Sequence, residues 1–169
     1  FIAEALTGFD VGVPVCWNSS GYESVEALRL LEGKVSVYMP DFKYMDTVLA
    51  AKYSSAPDYP EVAKRALYEM VSQRGELVYD GDGMLCKGVI VRHLVLPTHV
   101  DDSLRVLEYL KNEYGDSIIV SIMSQYTPFP SCPPPLDRRL NEEEYATVVN
   151  FAREIGIKNA YIQDGEAAS

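Results

Sequence analysis

The segment Val35–Tyr44, VSVYMPDFKY, predicts a β-strand that begins with apolar side chains and ends with charged ones. Side chains on a strand repeat every two residues, so the face that carries Met39 also carries Asp41 and Lys43. A charged strand end is what parallel α/β folds place at the mouth of a ligand site. A structural salt bridge would explain this strand alone, but several other predicted strands also end in polar residues.

Length and composition favour one domain over residues 1–169. Of these residues 47% are hydrophobic and 24% are charged, which is enough for a substantial core. The formal net charge of -10 opposes broad binding to nucleic acids and to anionic membranes, so neither is an expected partner. Cys16, Cys86 and Cys132 are too few and too scattered for a disulfide framework or a standard metal motif. This cysteine usage favours a reducing, cytoplasmic location.

Strands and helices alternate along the chain. Five strands are predicted, and a hairpin at Leu77–Leu85 is inserted between them around an Asp-Gly-Asp-Gly turn. The helices are marked by a Ser24 cap, by Pro60 near a helix start, and by a capping box formed by Asn141 and Glu144. The predicted strands are Val11–Trp17, Val35–Tyr44, Gly88–Pro97, Ile118–Met123 and Ala160–Gln163.

This alternation predicts an α/β fold with a mostly parallel sheet and helices outside it. Five strands are too few to close an eight-stranded barrel, so we expect a partial, incomplete TIM-like β/α barrel. A proline-rich loop, FPSCPPPLDRRL, follows one strand and is long enough to suggest a functional role. We expect one edge of the sheet to collect the polar strand ends, which are Asn18 to Ser20, Asp41 with Lys43, Gln125 with Tyr126, and Gln163 with Asp164.

Arg92 and His93 interrupt the most apolar predicted strand, Gly88–Pro97. Adjacent side chains on a strand face opposite ways, so only one of the two can point into a barrel interior. A buried arginine needs an anionic partner, and Asp41 or the carboxylate or phosphate of a ligand would be suitable. We interpret His93 as a core or interface histidine and His99, at the start of the next helix, as a surface residue.

A known family shares a series of segments with this chain in the same order. The segments are VCWNSSGYES, MPDFKYMD, AKYSSAPDYPEVAKRALYEM, GVIVRHLVLPTH, SIMSQYTP and LDRRLNEEEY. Together they resemble the radical S-adenosylmethionine (SAM) proteins of the pyruvate formate-lyase activating enzyme-like family. The resemblance implies an oxidoreductase that cleaves SAM reductively to a 5′-deoxyadenosyl radical. In the activating enzymes this radical abstracts a hydrogen from a glycine of a partner glycyl radical enzyme.

The N-terminal motif of that family is absent from the sequence. In the family, a Cys-x3-Cys-x2-Cys motif holds a [4Fe-4S] cluster to which SAM binds. The chain lacks this motif and begins at Phe1 inside a helical pattern, so we expect it to be the C-terminal two-thirds of a longer radical SAM protein. SAM and the cluster are then cofactors of the full-length protein, and this chain alone should bind no cluster and be inactive.

The resemblance also assigns contacts to the cofactor. Asn18, Ser19 and Ser20 fall on the family's Asp-Thr-Asn-Gly turn beside the SAM ribose, although Asn18 replaces an acid and Ser20 an amide. Hydroxyl groups of a ribose suit such short polar side chains. The family histidine that would follow the later strand has no equivalent, because the sequence there reads Gln125-Tyr126-Thr127. No catalytic residue is assigned, and the glycyl-radical substrate stays open.

Three further residues match family motifs for the amino acid end of SAM. Asp41 and Lys43 fall on the Asp-Leu-Lys motif, and Arg92 falls on the arginine of an Ile-Arg-Tyr strand. The chemistry agrees with these matches, because Lys43 or Arg92 can pair with the carboxylate of SAM and Asp41 with its ammonium.

Two other functions remain open from the residues. A complete small lyase or aldolase could use Lys43 as a Schiff-base nucleophile, since a lysine beside an acid at a strand end suits that chemistry. A binding module could use the same polar edge to recognise a peptide without chemistry. As a fragment, the chain should also self-associate, through the edge of Val11–Trp17 or through an inward face that includes Val35, Val37 and Met39.

Overall fold

The computed structural model describes residues 2–7 and 12–163 of the chain. Helices and strands alternate through these residues, as the sequence predicts. In chain order they are α1 (Ile2–Ala5), β1 (Cys16–Ser19), α2 (Val25–Arg29), β2 (Val37–Pro40), α3 (Thr47–Ser54), α4 (Tyr59–Arg74), β3 (Val78–Tyr79), β4 (Leu85–Leu94), α5 (Val100–Tyr114), β5 (Ile119–Met123), α6 (Glu142–Glu154) and β6 (Ala160–Ile162).

The strands form one sheet in the order β1-β2-β4-β5-β6, and each neighbouring pair in this series is parallel. The short strand β3 pairs antiparallel with β4, which confirms the predicted hairpin. The most apolar strand, β4, lies in the middle of the sheet, where both of its edges are paired. The α/β class, the mostly parallel sheet and the partial barrel are confirmed.

The two faces of the sheet differ in how they are covered. On the helix side, side chains such as Tyr38, Val89 and Val91 are fully buried in the main core. The opposite face carries Met39, Arg92 and other side chains that are only partly buried. Residues paired across parallel strands share a face, so the pairing of Arg92 with Ser121 extends this open face across β4 and β5.

The predicted limits of three strands are wrong. The central strand runs over Leu85–Leu94 rather than Gly88–Pro97. The first strand runs over Cys16–Ser19 rather than Val11–Trp17, so Asn18 and Ser19 lie in the strand instead of the turn. Its limits follow from its pairing with β2, residue by residue from Cys16 opposite Val37 to Ser19 opposite Pro40. The strand predicted at Val35–Tyr44 is only Val37–Pro40, although an isolated parallel bridge between Asp41 and Arg92 continues the pairing beyond it. Val11, Gly8 and Asp164 lie outside the described residues.

The prediction of an uncovered inward apolar face needs correction as well. Val35 has 1% of its surface exposed and belongs to the main core, and Val37 is 5% exposed. Met39 alone of the three is partly exposed. The strand β1 pairs only with β2 among the described strands, so an edge is present there. Self-association of the chain stays a prediction.

Helix ends agree closely with the local signals in the sequence. The Ser24 hydroxyl accepts a hydrogen bond from Ala27 N at 3.2 Å at the start of α2. The capping box forms at α6, where Asn141 and Glu144 each accept from the backbone N–H of the other. These caps use donors that no helix can satisfy internally, so they depend only on neighbouring residues.

Gly21 follows β1 and lies against the backbone of Asp41. Its φ of +74° lies in the left-handed region, and a Cβ added there would overlap the carbonyl oxygen of Asp41. Gly33 has a similar φ of +77°, but a Cβ there would meet nothing within 4 Å. A substitution at either glycine therefore meets similar backbone strain, but only at Gly21 does the new Cβ overlap a neighbouring atom.

We predict that Gly21→Ala destabilises the protein more than Gly33→Ala does. The strain at positive φ costs about 1 kcal/mol at either site, and the overlap with Asp41 adds about 2 kcal/mol or more. Urea unfolding followed by circular dichroism measures both variants. Equal losses of unfolding free energy would show that the turn shifts freely away from Asp41.

Candidate functional site

A cavity of about 620 Å³ opens at the carboxyl ends of the central strands. It contains three of the residues singled out from the sequence, Asp41, Lys43 and Arg92, together with Gln125 and Tyr126. Its volume lies within the range of about 300 to 1,000 Å³ that is usual for small-molecule sites. The remaining lining residues are Tyr44, Lys52, Tyr53, Ser54, Leu94, Leu96, Met123, Phe129, Cys132, Pro133 and Leu136.

Two cations share one carboxylate at the base of this cavity. Arg92 Nη2 lies 2.7 Å from Asp41 Oδ1, and Lys43 Nζ lies 3.3 Å from Asp41 Oδ2. The pairing of Asp41 with Arg92 confirms the carboxylate partner that the sequence required for a buried arginine. Asp41 and Arg92 also form an isolated parallel bridge through their backbones, which fixes the two side chains on the same face. We call these three residues the Asp41 cluster.

Two buried polar atoms of the Asp41 cluster have no hydrogen-bond partner among the described residues. They are Oδ1 of Asp41 and Nε of Arg92. The 2.7 Å contact between Arg92 and Asp41 is therefore a close charge contact rather than an aligned hydrogen bond. Because these two atoms are buried, a ligand in the cavity would meet the exposed parts of the same three side chains, and their two cationic groups and one carboxylate are complementary to a ligand that carries both a carboxylate and an ammonium.

The hydroxyl of Tyr59 holds the backbone beside this cluster. It accepts a hydrogen bond from Lys43 N at 3.0 Å and shares its proton between Ser20 O at 2.8 Å and Asp41 O at 3.0 Å. Tyr59 is 2% exposed, and Tyr22 stacks on its ring at 5.8 Å. Burial raises the pKa of Tyr59, so the hydroxyl keeps the proton that both carbonyl groups need. Nothing in the local sequence pointed to this role.

The predicted ribose contacts lie beside the cavity rather than in its wall. Asn18, Ser19 and Ser20 are absent from the residues that line it. Their backbone nevertheless abuts the Asp41 cluster, since Asp41 N donates to Ser19 O at 2.9 Å. Asn18 is exposed and pairs with Met39, which places it on the open face of the sheet.

Glu23 is a carboxylate near this turn that the sequence analysis did not single out. Burial raises the pKa of Glu23, a hydrogen bond with the Ser19 hydroxyl lowers it, and the charge of Asp41 raises it. Its Oε2 is buried without a hydrogen-bond partner in the described part of the chain. An acid five residues after Asn18 gives no recognisable motif, so only the folded turn brings it near Asp41.

The two histidines behave differently from each other. His93 is 1% exposed, and its Nδ1 lies 2.8 Å from Phe42 O, which confirms that it is a core histidine on the side opposite Arg92. A carbonyl oxygen only accepts, so Nδ1 carries the proton, and burial lowers the pKa of His93. The interpretation of His99 as a surface residue is wrong, because it is partly buried and its Nε2 lies 2.9 Å from Tyr53 Oη.

The far wall of the cavity comes from the proline-rich loop. The Tyr126 hydroxyl donates to Leu136 O at 2.8 Å, which closes the loop on itself. Glu144 then anchors the end of the loop, since it accepts two hydrogen bonds from Arg138, at 2.8 and 2.9 Å, and one from Thr98 N at 2.7 Å. A carboxylate with so many donors ties the loop to the segment after β4.

The described residues contain neither a cluster of metal ligands nor a membrane-spanning helix. Within residues 2–7 and 12–163, no three side chains of the types that bind metals come together. Cys16, Cys86 and Cys132 are free thiols, and Cys132 alone of the three lines the cavity. None of the helices in these ranges has the length and apolar character to cross a bilayer. The cytoplasmic location stays a prediction.

We predict that Tyr59→Phe lowers the free energy of unfolding by about 1 to 3 kcal/mol. The change leaves the buried Lys43 N–H without its acceptor and two carbonyl groups without a donor. Denaturant unfolding measures the loss. Tyr68→Phe is the matched control, because Tyr68 is 70% exposed, and its effect should stay within about 0.5 kcal/mol.

We predict that the stabilisation from Glu144 depends on pH. The Arg138 guanidinium, helped by backbone N–H donors, lowers the pKa of Glu144 from 4.5 to about 2. A carboxyl whose pKa is lowered by folding stabilises the protein fully above its unfolded value, and the effect is lost as the pH falls through the folded value. The stability gap between the wild type and Glu144→Gln should therefore be constant from pH 7 to about pH 5 and shrink below pH 4.5.

Denaturant unfolding at a series of pH values tests this prediction. Glu142→Gln is the control, since Glu142 lies in the same first turn of α6 and is exposed. Its gap to the wild type should be small at every pH. A gap for Glu144→Gln that widens toward acid would contradict the assignment.

Comparisons with known proteins agree with this fold. No protein-family model matches the chain. An uncharacterized protein of Methanocaldococcus jannaschii is 30% identical over 162 residues, which are 95% of this chain and 44% of that protein, so the chain spans less than half of that relative. A domain of pyruvate-formate lyase-activating enzyme from Bacteroides vulgatus has a similar structure, with a TM-score of 0.68 at 13% identity over 97% of this chain and 90% of the domain. This likeness shows a shared fold.

Proposed function

We propose that this chain is part of a radical SAM protein and that the Asp41 cluster holds the amino acid end of SAM. The observation that carries the proposal is the Asp41 cluster in a ligand-sized cavity, where two cationic side chains and one carboxylate are each partly exposed. The shared fold with a domain of an activating enzyme and the family segments in the sequence support the same assignment.

The cluster is chemically matched to an amino acid group. The Arg92 guanidinium and Lys43 Nζ donate to the carboxylate of SAM, and the Asp41 carboxylate accepts from its ammonium. Asp41 also keeps the two cations in place, because it pairs with both of them before the ligand arrives. The excess of one positive charge in the cluster attracts the carboxylate end first.

The ribose of SAM then lies toward β1. In this arrangement the end of β1, with Asn18, Ser19 and Ser20, lies nearest the ribose, beside the Ser19 carbonyl that holds Asp41 N, and Asn18 is on the open face. When bound beside an iron–sulfur cluster, SAM supplies a 5′-deoxyadenosyl radical on reductive cleavage, which is the chemistry of an oxidoreductase. The role of this chain is to bind and orient the cofactor and to keep water from the reacting end.

The described residues do not fit a [4Fe-4S] cluster, since no suitable group of ligands exists among them. We therefore assign the cluster to residues outside this chain, and the proposal derives no step from it here. The similar protein of M. jannaschii is more than twice as long as the matched region, which leaves room for such residues in a longer protein. The proposal includes a glycyl radical enzyme as the partner, and the similarity of fold does not bear on this partner.

The alternative of a Schiff-base lyase or aldolase at Lys43 has less support. A Schiff-base lysine attacks with a free amine, whereas Lys43 Nζ is in an ion pair with the Asp41 carboxylate 3.3 Å away. Small aldehydes with borohydride alkylate exposed lysines in general, so mass spectrometry should find Lys43 modified no more than Lys158, whose side chain is 76% exposed. A non-catalytic peptide-binding module has no observation in its favour beyond the open polar edge.

We predict that the chain binds SAM through the Asp41 cluster. Equilibrium dialysis with labelled SAM should show saturable binding that Arg92→Gln and Lys43→Gln each weaken about tenfold, since charged hydrogen bonds contribute about 1.5 to 3 kcal/mol. Arg29→Gln is the control, because Arg29 lies on α2 away from the cavity and pairs with Glu69.

Methylthioadenosine provides the matched ligand, since it lacks the amino acid group of SAM. Its binding should be weak and should not change in Arg92→Gln. If SAM and methylthioadenosine bind equally well, or if Arg29→Gln weakens SAM as much as Arg92→Gln does, the cluster does not recognise the amino acid end. Circular dichroism spectra of every variant establish that the fold is retained.

A further inference from the structure

We infer that the half of the cavity beneath the proline-rich loop is a second subsite, which binds a small organic anion with an apolar body. This inference rests on the proposed function, because the anion is the molecule on which the chemistry of that site would act. The subsite is formed by Lys52, Tyr53, Met123, Phe129, Cys132 and Leu136.

The order of the sheet separates this subsite from the cofactor. Asp41 follows β2 and Arg92 lies on β4, which are adjacent near the middle of the sheet. The proposed ribose contacts follow on β1, beyond β2. Met123 ends β5 on the opposite side of β4, and the proline-rich loop continues from there. A cofactor that extends from Arg92 toward β1 therefore leaves the β5 side of the cavity free.

The wall on the β5 side is mostly apolar. Phe129 is 78% exposed, although it belongs to a loop whose Leu136 is only 6% exposed. Tyr126 offers its ring rather than its hydroxyl, because that hydroxyl is already bonded to Leu136 O. An exposed aromatic side chain at a concave apolar wall favours a ligand with an apolar or aromatic body.

The charge of the cavity favours an anion. Lys52 lines it, is exposed, and has no acidic partner in an ion pair among the described residues; its Nζ lies 4.9 Å from the centre of the Tyr53 ring. Lys43 and Arg92 share Asp41 and are the proposed partners of the SAM carboxylate, so Lys52 is the lining cation that remains for a second ligand. It lacks an acidic partner in a chain whose net charge is -10. The cavity therefore selects negatively charged ligands.

A pair of probes that differ only in charge tests the inference. Naphthalene-1-acetate carries a carboxylate on an aromatic body, and naphthalene-1-acetamide is its neutral counterpart. We expect the acetate to bind the chain saturably, with the acetamide at least about fivefold weaker. Lys52→Gln should remove this preference, whereas Lys87→Gln, an exposed lysine on β4 outside the cavity, should keep it. Phe129→Ala should weaken both probes. Naphthalene fluorescence follows the titrations.

Three results would overturn the inference. They are equal binding of the two probes, an equal effect of Lys87→Gln and Lys52→Gln, and displacement of the bound acetate by saturating SAM, which would mean a single shared site. If only the proposed function is wrong, SAM will not bind, but binding of the acetate will still depend on Lys52.

Discussion

One buried hydroxyl group organises the site. The Oη of Tyr59 hydrogen bonds with Ser20 O, Asp41 O and Lys43 N, so a single side chain from α4 joins the ends of two parallel strands. Gly21 makes this possible, because any larger residue would overlap the Asp41 carbonyl that Tyr59 holds. The positions of Asp41 and Lys43 are therefore consequences of packing between a helix and a strand end rather than of the strand itself.

At the Asp41 cluster, features that suit a ligand also lower the stability of the fold. Buried polar groups without partners cost about 1 to 3 kcal/mol each, and the Asp41 cluster keeps two of them, Asp41 Oδ1 and Arg92 Nε. Asp41 Oδ1 still lies 2.7 Å from the Arg92 guanidinium, so this charge contact offsets part of the cost. In the proposed function, a ligand that pairs with the partly exposed cations and carboxylate of the cluster would offset more of it.

Prediction from the sequence was most accurate where the signal is local. The capping box at Asn141, the hairpin turn and the central apolar strand all formed as expected, because each depends on residues within a few positions. Asp41 was one of the partners that the sequence offered for Arg92, beside a ligand carboxylate or phosphate, and the structure shows that pair. The limits of the first three predicted strands were wrong, because pairing between strands decides where a ladder stops.

The sequence alone determined the α/β class, the mostly parallel sheet and the charged strand ends, since hydrophobic periodicity, caps and turns depend on residues that are neighbours in the chain. The tertiary structure decided which of those ends share a cavity. It brought Asp41, Lys43 and Arg92 together and set Asn18 to Ser20 beside them, and it added Lys52, Glu23 and Tyr59 from other elements. Contacts between residues far apart in the chain leave no periodic signal in one sequence, so only packing reveals them.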